Sequence, residues 1–554
     1  MTSPDTINPH ARERGVFFRK KKYEDTPLLS FAEARNLLPE PIVEKRPDYI
    51  ECYWRTWEIA YRNLHVPTPE SGFVSNFIDA AFNDNIFMWD TAFMTMFCNL
   101  AHPYIPGIRS LDNFYCKQFD DGEIPREIVR ATGKDFEKWV NHDLKPLHSY
   151  FHNHYKHRGL SQVNNLTYEE MYKPDLGRVV EKPPYLRLDN LNHPIMAWAE
   201  LESYKHTGDA DRLELVWEPL LRYYEALRYH LYNKYGLFVT DWASMDNSPR
   251  NKYLGSGVDI SCEMVLFARN LIEIARILID KKEKEGAPDE AVRYAERIAE
   301  LQKDAQQFAT DINRLMWDEK TGFYYDVTND GKRAPVKTIA AYWSLLAEVA
   351  DRRQAERLVE WLNDPKTFNR KHRVPVCAAD EPGYDPRGGY WRGSVWAPTN
   401  TMVIRGLVKY GYDTLAREIA LNHLDNVVKI FQDTGTIWEN YPPDFIDPGD
   451  ADKSDFVGWS GIAPTLYLME YVVGLKGDAP NNELTWRLYP GSGTVGCNRY
   501  WFAGKTLNLL ATEEADGTYS IAVSSDAPVT LKVRYGVSET RVDVNGSARF
   551  RVHL

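Results

Sequence analysis

The sequence predicts a mainly α-helical protein closed by a small antiparallel β-domain, and three observations carry that reading. From Arg46 to about Leu475 apolar residues recur at three- and four-residue steps; after Gly474 they alternate with polar ones; Gly, Asn and Asp pairs punctuate both patterns. A chain of 554 residues exceeds one small core and suits roughly two to four domains.

Residues 1–45 are polar, charged and proline-bearing without a sustained period, the pattern of an N-terminal arm. Residues 46–475 form the helical domain. Within it, Ile260, Met264, Phe267, Ala268, Leu271, Ile274, Ala275 and Leu278 fall on one broad face of a helix. Thr207-Gly208-Asp209 punctuates two helices, Gly208 ending the first and Asp209 accepting from the free amides of the second. Asp413, after Tyr410-Gly411-Tyr412, is expected to open another. Antiparallel helix pairs with their functional loops gathered at one end would give a closed helical barrel. Residues 480–554 form the β-domain, with strands at Ser520–Val523, Val529–Tyr535, Glu539–Val544 and Ala548–His553. Asp516-Gly517 and Asn545-Gly546 are its turn signals.

Composition removes several classes of function. A formal net charge of -12 opposes a nucleic-acid or anionic-membrane partner, because phosphate binding needs clustered Lys and Arg. The run Arg19-Lys20-Lys21-Lys22 is too short to reverse that and reads as a solvated tail. The first residues lack an apolar signal core, and no segment approaches the ~18 uncharged apolar residues of a membrane span. The expectation is a cytoplasmic protein without a membrane partner. Six cysteines are scattered without a Cys-x-x-Cys pair, as buried free thiols would be. His142, His148, His152, His154 and His157 do not repeat one helix face, so they make no metal-ligand pattern. Phosphate-cradling glycine loops and the Gly-x-Ser-x-Gly elbow are absent.

The run Trp391-Arg392-Gly393-Ser394-Val395-Trp396, with Pro398 and Asn400 behind it, suits a pocket that stacks flat rings on sugar faces. Glu439 follows in Gly435-Thr436-Ile437-Trp438-Glu439-Asn440-Tyr441. Cleaving a glycosidic bond needs a proton for the leaving oxygen and a base or nucleophile opposite it, so two carboxyl groups must face the sugar. Glu439, between aromatics, is one candidate, or else a Glu at a helix end making a structural bond. Asp246, in Asp241-Trp242-Ala243-Ser244-Met245-Asp246-Asn247-Ser248-Pro249-Arg250, is the other, with Asp241 in reserve; the same stretch also reads as an ordinary Asx-turn. In Met88-Trp89-Asp90-Thr91, Trp89 suits a pocket floor and Asp90 an acceptor of two hydroxyls, or a buried helix cap. Arg126 reaches the same pocket or pairs with a carboxylate.

Taken together, Trp89-Asp90, Ser244 to Arg250, Gly389-Tyr390-Trp391-Arg392-Gly393 with Trp396 and Asn400, Trp438-Glu439-Asn440-Tyr441 and Gly458-Trp459-Ser460 resemble glycoside hydrolase family 63 and its trehalase-like relatives. The set spans roughly residues 80 to 475. The resemblance implies an (α/α)6 barrel and an inverting, cofactor-free hydrolysis of α-glycosides, commonly α-glucosides. It makes Asp246 the general acid and Glu439 the general base. Trp89, Asp90, Trp391, Arg392 and Trp459 would line the sugar subsite, with Arg126, Trp242, Asn247, Arg250, Gly393, Trp396, Asn400 and Tyr441 as further substrate-binding candidates. Unlike the larger members, this chain shows no β-domain before its helices, and it is similar to compact bacterial members acting on small glycosides such as glucosylglycerate or mannosylglycerate. Residues 150–185, rich in tyrosine, would supply a lid or aglycone wall.

Two other classes stay open at this level. A polysaccharide lyase or sugar epimerase would use His or Tyr beside an acidic sugar, for which the His142 to His157 region is available. A catalytically silent carbohydrate-binding protein would keep the tryptophans and need neither Asp246 nor Glu439.

Overall fold

A computed structural model describes residues 17, 20–24, 26–119, 122–133, 192–239, 245–253, 255–449 and 452–553. The expected wall at 150–185, the histidines from 142 to 157, Asp241 and Trp242 lie outside the described residues. The main elements before the C-terminal sheet, in chain order, are β1 (Glu40–Val43), α1 (Pro47–Arg62), β2 (Asn85–Phe87), α2 (Met88–Cys98), β3 (Glu127–Val129), α3 (Met196–Thr207), α4 (Ala210–Leu231), α5 (Val258–Lys284), α6 (Pro288–Leu315), α7 (Trp343–Leu346), α8 (Arg352–Asn363), α9 (Ala397–Lys409), α10 (Asp413–Thr434) and α11 (Ala463–Val473), the last wound as a π-helix. The C-terminal strands are β4 (Leu475–Asp478), β5 (Glu483–Leu488), β6 (Thr494–Phe502), β7 (Lys505–Glu513), β8 (Tyr519–Tyr535) and β9 (Ser538–Val552).

The helices fall into two kinds. Every residue of α2 is buried, from Met88 to Cys98, and α9 is buried from Ala397 to Leu407. In α8 only Gln354, Ala355, Leu358 and Leu362 are buried, a single stripe. A helix apolar on all sides belongs inside and one with a stripe covers it, so the helices make two layers. The buried helices touch in succession, α2 on α3, α3 on α5, α5 on α7 and α7 on α9, with α11 against α2. Short connections turn α5 back as α6 and α9 back as α10, and each pair packs together.

Local signals explain several boundaries. Gly208 ends α3 at φ 75°, and the Asp209 side chain accepts from Arg212 N at the start of α4. The apolar face expected from Ile260 to Leu278 is buried within α5. Asp413 departs from expectation: Tyr412 occupies the cap position and no side-chain cap bond forms, so Asp413 sits inside the first turn. There its charge still faces the positive end of the helix dipole.

The C-terminal sheet holds seven strands among the described residues, ordered β1-β6-β7-β8-β5-β4, with β9 also paired to β8. Its edge strand β1 comes from the segment read as an arm, with Glu40 to Val43 antiparallel to Asn498 to Val495. The four short strands expected after residue 519 are two long ones. β8 meets β7 through Tyr519 to Ser525 and then β5, in parallel, through Thr530 to Tyr535, while β9 follows it along both halves. The register shifts between Ser525 and Val529, opposite Gly546 at φ 85°. Asn545-Gly546 is therefore part of the continuous strand β9, facing a bulge of residues 526–528 in β8, and not a turn; the turn is at Gly536, φ 59°. All six cysteines are buried and free. Among the described residues no helix is long and apolar enough to cross a membrane.

Gly474 joins the two parts. Its N–H donates to Met469 O at 2.8 Å to end α11, and its carbonyl accepts from Arg487 N at 2.8 Å in β5. Its φ is 92°, and a Cβ there would run into the Arg487 carbonyl. Gly474→Ala is expected to cost about 2 kcal/mol or more, seen as a lower urea midpoint.

Candidate active site

The described residues enclose an open cavity of about 420 Å³ lined by Phe82, Phe87, Trp89, Asp90, Arg126, Asp246, Tyr390, Trp391, Glu439 and Trp459. The side chains arrive from the starts of buried helices and the loops before them. Trp89 and Asp90 occupy the first turn of α2; Trp391 precedes α9 and Trp459 precedes α11. The β2–β3 ladder pairs Phe87 with Glu127, and Met88 N donates to Arg126 O at 2.9 Å. That ladder carries Arg126 to the cavity beside Asp90.

The aromatic wall is a packed set. Trp89 lies 6.1 Å from Trp391 and 5.4 Å, edge-on, from Trp459, measured between ring centroids. Trp391 stacks at 4.3 Å and 9° on Trp396, which is fully buried behind it. Gly389 and Tyr390 both take left-handed φ, 53° and 63°. For tyrosine this conformation is strained, and it turns the chain so that both rings reach the interior.

Glu439 is 1% exposed. Its Oε1 accepts from the Tyr390 hydroxyl at 3.2 Å, and Oε2 has no hydrogen-bond partner among the described residues. Main-chain contacts hold it: its N–H donates to Lys453 O at 3.0 Å, and its carbonyl accepts from Trp459 Nε1 and Ser460 Oγ, each at 3.1 Å. Burial raises the Glu439 carboxyl well above the usual carboxylate range; Asp452 and then Asp90 add to this, the Tyr390 bond opposes it, and Asp246 contributes last. Burial also pushes Asp90 up to about 8 against the pull of Arg126, and Asp452 up to about 7 against several backbone N–H donors.

Asp246 is buried and lines the cavity. Its carbonyl accepts from Asn251 Nδ2 at 3.0 Å. Asn247 donates to Gly389 O at 3.1 Å and accepts from Trp391 N at 2.8 Å, tying the Asp246 loop to the tryptophan loop. Arg250 is fully buried between Asp259, at 2.5 and 2.9 Å, and Asp326, at 2.8 and 2.9 Å. These bonds fasten the loop to the N-terminus of α5.

The structure thus brings together Trp89, Asp90, Arg126, Asp246, Trp391, Glu439 and Trp459. Six further candidates, with Gly393, do not line the cavity. Asn247 and Arg250 spend their hydrogen bonds on the protein. Arg392 turns outward, its side chain 46% exposed and 3.4 Å from Asp385. Gly393 lies where a Cβ would meet the Asp385 carbonyl. Trp396 backs Trp391, and Asn400 donates to Trp396 O at 3.2 Å within α9. Tyr441 accepts from Trp438 N at 3.1 Å, and its main chain pairs with Val395, joining the Glu439 loop to the tryptophan loop. Each motif alternates residues that face the cavity with residues that brace it, and sequence proximity does not separate the two.

Sequence reasoning passed over Phe82, Phe87, Tyr390 and Asp452. Tyr390 lay inside a quoted motif; Asp452 carried no local signal, because its effect on Glu439 acts through space. It also passed over His193, whose Nδ1 is 2.5 Å from Glu263 Oε1 and whose ring lies 4.6 Å from that of Trp89.

Residues 148–460 match the family described as mannosylglycerate hydrolase MGH1-like glycoside hydrolase domain. An uncharacterized protein of Borreliella burgdorferi is 28% identical over 314 residues, 54% of this chain and 63% of that one. The mannosylglycerate hydrolase of Rubrobacter radiotolerans is 27% identical over 198 residues, 35% of this chain and 39% of its own. This chain therefore spans less than two thirds of either relative. The crystal structure of the GH63 mannosylglycerate hydrolase of Thermus thermophilus in complex with glucose superposes with a TM-score of 0.52 at 18% identity, over 75% of this chain and 99% of that one. At that identity the likeness is one of fold.

Arg250→Met leaves Asp259 and Asp326 facing each other unpaired, and is expected to cost about 3–5 kcal/mol in chemical denaturation. Asp90 has a folded-state value near 8 against an ordinary 3.8, so the folded state holds its proton longer than the unfolded chain does. Its ionisation lowers stability progressively as pH rises between those values. Asp90→Asn is expected to melt above the parent protein by a margin that widens from pH 4 to pH 8, read by thermal denaturation across that range.

Proposed function

The chain belongs to the MGH1-like glycoside hydrolase family, and from that premise we propose that it is an exo-acting, inverting hydrolase of a small α-glycoside, with an α-glucoside or an α-mannoside as the sugar part. The observation that carries the reading is the convergence of Asp246 and Glu439 on one cavity walled by Trp89, Trp391 and Trp459. Indole faces suit the C–H faces of a pyranose, while Asp90 and Arg126 are of the right chemistry to bond its hydroxyls.

In this mechanism Asp246 protonates the glycosidic oxygen and Glu439 takes a proton from the attacking water. The Asn247 and Asn251 contacts hold the acid in place, and the clamps on the Glu439 main chain hold the base. Burial makes Glu439 a stronger base than an exposed carboxylate once it has ionised, at the cost of a smaller ionised fraction near neutrality. Tyr390 offsets part of that cost by hydrogen bonding to the carboxylate. Inversion requires the two carboxyl groups to stand far enough apart to admit a water. We further infer that the succession of buried helices, each covered by an outer one, closes as an (α/α)6 barrel over residues 46–475 with the β-domain from 480. The relatives named as mannosylglycerate hydrolases make a glycerate conjugate the first substrate to try.

The test is a panel of α-linked glucosides, mannosides, galactosides and glycerate conjugates, followed by proton NMR. Initial release of the β-anomer from an α-glycoside is the expected result. Glu439→Gln should then lower kcat by about 10³-fold or more while sugar binding persists. Release of the α-anomer, or a Glu439→Gln variant with most of its activity, would reject the assignment.

A further inference from the structure

The helices whose N-termini face the candidate active site converge again at their other ends. There a second cavity of about 590 Å³ lies between them and the C-terminal sheet. The end of α2 brings Asn99, the end of α3 brings Glu202 and Lys205, α9 brings Arg405, α11 brings Glu470 and β4 brings Lys476. The length of α2, eleven residues, puts this cavity roughly 16 Å from the first along the helix axis.

Its charges are arranged and incomplete. Arg405 makes a two-pronged pair with Glu470, at 2.5 and 2.8 Å, and lies 3.5 Å from Glu202. Lys205 pairs with Glu202 at 3.2 Å. Lys205, Arg405 and Lys476 thus gather round Glu202 and Glu470, and Glu273 of α5 also acts on Lys205. The Lys476 side chain has no hydrogen bond or ion pair among the described residues, while its main chain pairs in the sheet opposite Thr485, and its residue surface is open to solvent. Two buried polar atoms of the lining, Asn99 Oδ1 and Arg405 Nε, also lack partners among the described residues. An oxyanion would pair with the Lys476 ammonium, and hydroxyl groups would find acceptors in Asn99 and Glu202.

We propose that this cavity is a second binding site, separate from the catalytic one, for a small hydroxylated oxyanion, a carboxylated or phosphorylated polyol. Lys476 binds the oxyanion; Asn99 and Glu202 accept from the hydroxyls; Arg405, held by Glu470, sets the positive field. Helix C-termini favour cations, which keeps Lys205 in place with or without the ligand, and the Glu470 pair does the same for Arg405.

Isothermal titration of the full chain with glycerate and with glycerol phosphate tests this, with sodium chloride matched for ionic strength. Saturable binding of one of them is expected, with a melting-temperature rise of about 2 °C at saturation; the two arms tell a carboxylate site from a phosphate site. Lys476→Met should weaken binding about tenfold and Lys476→Arg should retain it, while Trp391→Ala, which strips a wall of the catalytic cavity, binds as the parent does. Lys476 lies on an exposed stretch of β4, and an unchanged melting temperature of the ligand-free variant shows that it folds. No saturable binding of either probe, equal affinity in Lys476→Met, or loss of binding in Trp391→Ala would overturn the proposal.

Discussion

A carboxyl group that is 1% exposed, as Glu439 is, has lost nearly all the water that would stabilise its charge, and everything around it is arranged to hold it there. Transfer of an ionised carboxylate out of water is expensive unless it is paired. The protein supplies one hydroxyl, from Tyr390, and leaves one oxygen without a partner among the described residues. Neighbouring Asp90 and Asp452 rise with it. The cavity is therefore a place where carboxyl protons are retained toward neutral pH. Such perturbed groups mark sites of chemistry more often than sites of structural support.

Holding the side chains against that cost falls to their main chains. Three loops, each running into a buried helix, are fastened to one another by Asn247 on the tryptophan loop, by Val395 paired with Tyr441, and by Trp459 and Ser460 on the Glu439 carbonyl. The left-handed Tyr390 is tolerable because these contacts overdetermine its backbone. Arg250 extends the same support outward, its two carboxylates belonging to α5 and to the segment at Asp326. The residues that contact the cavity and those that brace it are neighbours in sequence for this reason: the brace has to be rigidly coupled to what it braces.

The β-domain serves the far end of the same helices. Gly474 turns α11 directly into β4, and β1, from ahead of the helices, completes the sheet. The two ends of the described chain are thereby tied together. The space left at the junction carries charged side chains that an apolar interface would have excluded.

Much of this was legible in the chain itself. The helical period with glycine and aspartate punctuation marked out α3, α4 and α5, and the switch to alternation marked the sheet, because both depend on local backbone geometry and on which face must be buried. The motif set also named seven of the residues that line the cavity, since sugar chemistry calls for aromatics beside carboxylates. The sequence could not tell Trp391 from Trp396, or Arg126 from Arg250. In each pair the residue types are the same, and only packing decides which faces the cavity and which is spent on a neighbour. Nor could it fuse four apparent strands into β8 and β9, because Asn545-Gly546 makes a turn or runs on opposite a bulge according to the strand it meets. Sequence by itself determined the elements and the chemical inventory, which are properties of short segments; tertiary structure decided partners, burial and hence proton affinities, because Asp452 acts on Glu439, and Lys476 faces Arg405, only through space.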